Sequence, residues 1–338
     1  MNVETPDQVL QHLLLDSQKF GCEYANSLSS HLPMALIALQ KLGATSDELK
    51  AFYAHESAHL ERTTQDKTQI DQDSWPQYLG LHAHNLPYRD FFLHELRQRG
   101  VRTVLESYLP QLMSGVSGGA FHPLIRLAYG IEVQSEWEIA EALASWCMAY
   151  QTLGPVSILH TPTPPRSLFA SLEILAEQVK SHPVKVEGAT VFAWFKCVSE
   201  SQAFKSFFSQ THALDLSLPQ ISNAVLRLYL ATNDSFTALH CVTATHALRI
   251  VQPYLKDSTL SRYLWQAVCA TYVIVKCPAF EDLSFPSELP SWRQVFEAAR
   301  IQDDDHVIKF VYSAFSESEH HRNELYRLAA AKKVRLFS

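Results

Sequence analysis

The chain carries 16 histidines in 338 residues, and several stand where imidazole chemistry could be organised. The most literal motif is His55-Glu56-Ser57-Ala58-His59. On a helix, histidines at i and i+4 share a face and can hold zinc, with the intervening glutamate as general base. Against a metallopeptidase, no third ligand follows at the expected spacing, and Glu61 is too near to return as one. The run Glu61-Arg62-Thr63-Thr64-Gln65-Asp66-Lys67 is polar and reads as solvated. A chance match in a histidine-rich chain therefore stands beside the zinc reading.

Two further histidines precede proline-initiated apolar helices. His31 lies in Ser30-His31-Leu32-Pro33-Met34-Ala35-Leu36, and His122 in Ala120-Phe121-His122-Pro123-Leu124-Ile125. Proline suits the first helical turn, so each imidazole is held at a helix mouth by stiff backbone. A ring capping a free backbone group is the plain alternative. His240 and His246 share one helix, where six residues turn about 600° and leave the pair about 120° apart. They should not face one ligand sphere; His240 sits among Ala, Leu, Cys and Val, and His246 reads as a structural partner. In Asp303-Asp304-Asp305-His306-Val307-Ile308-Lys309, His306 and Lys309 share a face at i, i+3, and the aspartates suit a helix start. Lys309 lies in an apolar run, so it either reaches out to water or has a task.

The elements that must position these groups read as helices almost throughout, with little strand alternation. Thr45-Ser46-Asp47-Glu48 predicts a capping box opening a helix toward Arg62, and Ser135-Glu136-Trp137-Glu138 a second, running through Tyr150. Asp234 and Asp257 (or Ser258) are expected to cap helices ending near Tyr254 and Lys276. A last set should run from Ser291 to about Lys333, broken near Asp303 and His320. A short strand fits only Ser181 to Gly188. With just 10 glycines, turns are few, and the expected fold class is all-α: one large irregular bundle of a dozen or more helices. Residues 1–338 read as a single domain, with a soft boundary at 159–166, where Pro162, Pro164 and Pro165 fall.

A hydrophobic fraction of 47% fills a core, and a net charge of −7 with dispersed basic residues argues against nucleic-acid binding. The six cysteines form no CxxC pair and read as reduced thiols. No signal peptide or membrane span is evident, so the expected location is the cytoplasm.

Four blocks resemble the questin oxidase-like family: Ser-His-Leu-Pro-Met-Ala-Leu-Ile-Ala-Leu with Leu-Gly-Ala (30–44), Gly-Ala-Phe-His-Pro-Leu-Ile-Arg-Leu-Ala-Tyr-Gly-Ile-Glu (119–132), Leu-His-Cys-Val-Thr (239–243) and Asp-His-Val-Ile-Lys (305–309). They come in the family's order, and the Phe-His-Pro-Leu-Ile-Arg-Leu-Ala-Tyr-Gly block is the most specific. Ser30 departs from the asparagine that many members carry. The resemblance implies oxidative opening of aromatic polyketide rings such as anthraquinones, by Baeyer–Villiger-type oxygen insertion or by non-haem iron dioxygenation. A flavin enzyme should carry a strand–GxGxxG–helix fingerprint. Gly115, Gly118 and Gly119 are misspaced for one, so no flavin is expected; nothing in the sequence speaks to NADPH.

The histidines inside the blocks, His31, His122, His240 and His306, are then the expected metal ligands, with iron the expected ion and His246 the weaker candidate. The same-face spacing of Lys309 with His306 makes it a carboxylated ligand or a group one layer out. Phe121, Tyr129, Tyr263 and Trp265 are expected to line an apolar pocket for a small aromatic substrate, with O2 as co-substrate. The alternatives are a zinc hydrolase using His55, Glu56 and His59, and a non-enzymatic helical scaffold. Oligomeric state is not legible.

Overall fold

The computed structural model describes residues 4–25, 28–63, 66, 68–156, 167–210, 216–281, 286 and 288–336. The expected boundary at 159–166 lies outside them. The fold is all-α, with 15 α-helices and one two-stranded antiparallel ribbon among the described residues. The ribbon, β1 (Glu23–Tyr24) and β2 (Leu28–Ser29), is a small hairpin that the sequence pattern does not announce. The segment Ser181 to Gly188 forms no strand.

The helices are α1 (Pro6–Ser17), α2 (Leu32–Lys41), α3 (Ser46–Ser57), α4 (Asn85–Leu112), α5 (His122–Glu132), α6 (Glu136–Met148), α7 (Leu168–Ser181) and α8 (Val191–Glu200). They continue as α9 (Gln202–Gln210), α10 (Leu218–Ala231), α11 (Phe236–Val251), α12 (Ser261–Ile274), α13 (Trp292–Arg300), α14 (Asp305–His321) and α15 (Leu325–Lys333). Their buried apolar side chains form one contiguous cluster from Val9 to Val334. All six cysteines are free. No helix is long and apolar enough to cross a membrane.

Local chemistry explains most boundaries. Thr45 and Glu48 form a reciprocal capping box at the start of α3. Ser135 caps α6, but the box is incomplete because the Glu138 carboxylate turns to the Arg126 guanidinium at 2.8 Å. Ser235, not Asp234, caps α11; Asp234 accepts from Tyr229 and pairs with Lys333. Asp257 accepts from the Thr259 N–H and opens the turn that leads into α12.

One helix is shorter than the periodicity predicts. α3 stops at Ser57, so His59 lies beyond its end and Arg62 further still. The chain turns there because the Glu61 carbonyl accepts from the Gly21 N–H at 2.9 Å and Arg62 forms an antiparallel bridge with Phe20.

Four of the helices close a ring. α5 packs on α11, α11 on α14, α14 on α2 and α2 on α5.

Candidate metal centre

Each member of that ring brings one histidine to a common cluster, from a position at or near its helix's N-terminal end. His31 is the residue before α2, His122 opens α5, His240 stands one turn into α11, and His306 is second in α14. Proline stiffens two of these mouths, Pro33 in α2 and Pro123 in α5.

The mouth of α5 is the most constrained. Gly119, Ala120 and Phe121 are all left-handed, with φ of 55°, 52° and 68°. For a residue with a Cβ that conformation is costly, and here burial holds it: Phe121 is 1% exposed and meets Phe195 edge-on at 5.8 Å. The resulting bend brings the Gly119 carbonyl within 2.5 Å of His122 Nδ1. Gly118 permits it, because a Cβ there would stand 2.1 Å from the Ala149 carbonyl oxygen.

The four rings form one cluster. His31 stacks on His122 with centroids 4.4 Å apart and meets His306 edge-on at 4.6 Å. His240 lies 4.7 Å from His122 and 5.2 Å from His306, and Phe236 covers both His240 and His306.

Every Nδ1 has a partner. His31 Nδ1 donates to Asp305 Oδ1 at 2.8 Å, and His306 Nδ1 reaches Asp305 at 2.9 Å and Asp304 at 3.1 Å. His122 donates to the Gly119 carbonyl, and His240 to the Phe236 carbonyl at 2.7 Å. An imidazole whose Nδ1–H is so engaged presents a lone pair at Nε2. The Nε2 atoms of His31 and His306 are buried without a partner, and those of His122 and His240 face each other at 3.1 Å. Two lone pairs at that separation repel unless a proton or a cation lies between them.

These donors fit a transition-metal ion. Nitrogens each about 2.0–2.1 Å from one ion stand roughly 2.9–3.4 Å apart, which brackets the His122–His240 separation. The ligand atoms of His31, His122 and His306 all lie within 4.8 Å of one another.

Electrostatics keeps three of the four imidazoles neutral. Burial first, then the Lys309 charge, pushes His31 down to about 4. Burial and the neighbouring imidazoles hold His122 and His240 well below the ordinary range. For His306, burial and Lys309 act downward, but Asp304 and Asp305 outweigh them and raise it. Asp305 would be raised by burial; Lys309, His31 and His306 hold it well below the carboxylate range instead.

Lys309 is 3% exposed, its Nζ is 3.4 Å from Asp305 Oδ1, and its charge acts on all four imidazoles. Burial lowers it, against the pull of Asp305.

The other expected residues lie elsewhere. His246 is buried on a different face of α11 and bonds Ser313 at 3.1 Å. Tyr129 is buried against Tyr312, while Trp265 is buried and Tyr263 half-buried in α12. A cavity of about 20 Å³ touches His122, and its walls include Ser30, Met34, Arg126 and Met148 but none of the four expected aromatics. It has room for about one water-sized molecule. His55 is exposed, and among the described residues no three-donor cluster includes His55 or His59. The shortened α3 takes His59 off the helix that the zinc reading needs.

Asp305 does more than its sequence context suggests. By position it is helix-start charge, yet one oxygen serves His31, His306 and Lys309 together. The available signal is Asp305 directly before His306 and four residues before a lysine in an apolar run.

Residues 28–314 match the family described as questin oxidase-like. The chain belongs to this family. It is 25% identical to the oxidoreductase AflY of Aspergillus parasiticus over 83% of this chain and 66% of that protein, just under two thirds of the relative's length. It is 23% identical to a Baeyer-Villiger oxidase of Pestalotiopsis microspora over 83% of this chain and 74% of that one. A shorter match, 32% identical over 34% of this chain, is to a Baeyer-Villiger oxidase of Paecilomyces divaricatus.

Proposed function

We propose that the protein is a metal-dependent oxygenase that uses O2 to cleave a ring C–C bond in an aromatic, anthraquinone-like polyketide, with iron as its metal. The observation that carries this reading is the set of four imidazoles whose Nδ1 atoms are all engaged and whose Nε2 atoms are free or face one another. His31, His122, His240 and His306 would hold the metal. We assign Lys309 as the oxygen donor in its carboxylated form: its neutral amine adds to CO2, forming an N–C bond and releasing one proton. The burial that lowers Lys309 favours the neutral amine this requires.

When bound, the metal would supply a redox-active Lewis acid for O2 and for an electron-rich ring oxygen. The chain's own part is positional and electrostatic. Asp305 fixes two rings, the Gly119 and Phe236 carbonyls fix the other two, and Phe236 helps keep water away from the rings. Four helix N-termini meet here, and their partial positive charge favours an anionic partner such as a phenolate or carbamate. The relatives' printed oxidase names support oxygen chemistry on this site.

The deciding experiment is elemental analysis of anaerobically purified protein, followed by O2 uptake with hydroxylated anthraquinones. A protein without redox-active metal, consuming no O2 with any polyphenol or quinol, would refute the proposal.

A further inference from the structure

We propose that Tyr312 is a redox-active tyrosine with Glu132 as its proton acceptor, and that the pair drains unspent oxidising equivalents from the four-imidazole centre. This inference rests on the reading of that centre as a redox metal site.

A second layer of the helix ring carries it. Beyond the histidines, α5 places Tyr129, α11 places His246 and α14 places Tyr312, each about two turns further along its helix. At 1.5 Å per residue each stands roughly 9–10 Å along the axis from the histidine of its own helix, close enough for an electron to tunnel without a stop between. The three side chains meet there. Tyr312 packs against Tyr129 with ring centroids 5.7 Å apart and takes His246 edge-on at 5.5 Å. All three are buried.

Tyr312 is set apart by its base. Its hydroxyl donates to Glu132 Oε1 at 2.6 Å, whereas the Tyr129 hydroxyl is buried without a partner, so a proton leaving it has no acceptor. Three other tyrosines donate to carboxylates: Tyr108 to Glu95, Tyr229 to Asp234 and Tyr53 to Asp16. A cation holds each of those carboxylates as well, Arg99, Lys333 and Lys19 in turn, and a neighbouring positive charge makes a carboxylate a poorer base. Glu132 forms no ion pair among the described residues, and its Oε2 is buried without a partner. It closes α5 and is half-buried, so a proton it receives stays near the surface.

Oxidation of a buried tyrosine that kept its proton would leave a cation in an apolar setting, at high cost. Within this pair the step balances. Tyr312 loses one electron to a one-electron oxidant formed from O2 at the centre, which is thereby reduced. The O–H bond breaks, the proton passes to Glu132 Oε1, and a neutral phenoxyl and a neutral carboxylic acid remain. A one-electron reductant of the ascorbate class then restores the electron, and Glu132 returns the proton. The device works when no substrate is held, and it spares the imidazoles from oxidation.

The test is freeze-quench electron paramagnetic resonance on the iron-loaded full chain mixed with hydrogen peroxide and no organic substrate, with iron assayed in the same samples. Wild type should give a phenoxyl signal. Tyr312→Phe, which keeps the ring, should lose it at equal iron content. Glu132→Gln should form it roughly a hundredfold more slowly, and Tyr108→Phe should keep it. A signal that survives Tyr312→Phe, a wild-type rate in Glu132→Gln, or no phenoxyl in iron-loaded wild type overturns the proposal. Samples that hold no iron refute the metal reading and with it the source of the oxidant. The pair itself is then judged on the metal-free chain with photogenerated ruthenium(III) tris-bipyridine, where Tyr312→Phe must remove a long-lived phenoxyl; otherwise the pair fails too.

Discussion

Asp305 Oδ1 accepts from His31 Nδ1 at 2.8 Å across 274 residues of chain, and the same oxygen lies 2.9 Å from His306 Nδ1. One carboxylate thereby orients two imidazoles from the two ends of the sequence. Carboxylates that hold the far nitrogen of a ligating imidazole typically contribute about 10–100-fold to metal affinity. Asp305→Asn should weaken metal binding by roughly that factor while stoichiometry at saturation is kept. Competition against a chromophoric chelator measures it; an unchanged affinity would remove Asp305 from the site.

Stability of the metal-free protein should depend on pH through the buried imidazoles. The folded-state value for His31, about 4, lies below the ordinary 6.5. As pH falls, the unfolded chain takes up the proton first. The folded state therefore loses stability from pH 6.5 down to about 4, with no further loss from this group below that. A gap of about 2.5 pH units at roughly 1.4 kcal/mol each sets about 3 kcal/mol as the most His31 can contribute. His122 and His240 act with the same sign. Urea midpoints at pH 7.5, 6 and 5 should fall more steeply in wild type than in His31→Gln, and parallel slopes would contradict the assignment.

Gly118→Ala should be among the costliest single-atom changes near the site. The added carbon would meet a backbone carbonyl oxygen at 2.1 Å, a group that cannot swing aside. We expect a loss of about 1–3 kcal/mol in denaturant unfolding, accompanied by weaker metal binding because Gly119 next door holds His122. A variant as stable as wild type would show that the α5 mouth is more pliable than its three left-handed residues indicate.

Carboxylation of Lys309 has a direct signature. Protein equilibrated with 13C-bicarbonate should show a carbamate carbon resonance that Lys309→Ala lacks, and the variant's metal content should drop. Metal content unaffected by Lys309→Ala would sink the assignment.

The helices were legible because their signals are local. The Thr45 capping box, the helix start at Ser291, and the breaks near Asp303 and His320 depend on residues a few positions apart. The end of α3 was not, since it is set by Glu61 and Arg62 meeting Gly21 and Phe20 some forty residues earlier. The same distinction governs the site. The histidine blocks could be picked out through a family resemblance, and the rotation of His246 away from His240 through helix geometry. The role of Asp305 was hidden, because its partner His31 lies 274 positions away and only the packing of α14 on α2 joins them. The aromatic wall was inferred from residue type alone; Phe121, Tyr129 and Trp265 are buried in the core, and Tyr263 is half-buried against it.

The ring of α2, α5, α11 and α14 also bears on how the protein is made. His306 follows Asp305, which leaves the ribosome 274 positions after His31, so until α14 emerges a nascent chain can offer at best a partial donor set. Domains gain native packing only once their segments are present, and the last nitrogen arrives with the docking of α14. A metal centre formed by all four imidazoles would therefore be complete only after α14 has docked. A chain truncated before α14 should retain no metal at the four-imidazole centre, even where its earlier helices have formed.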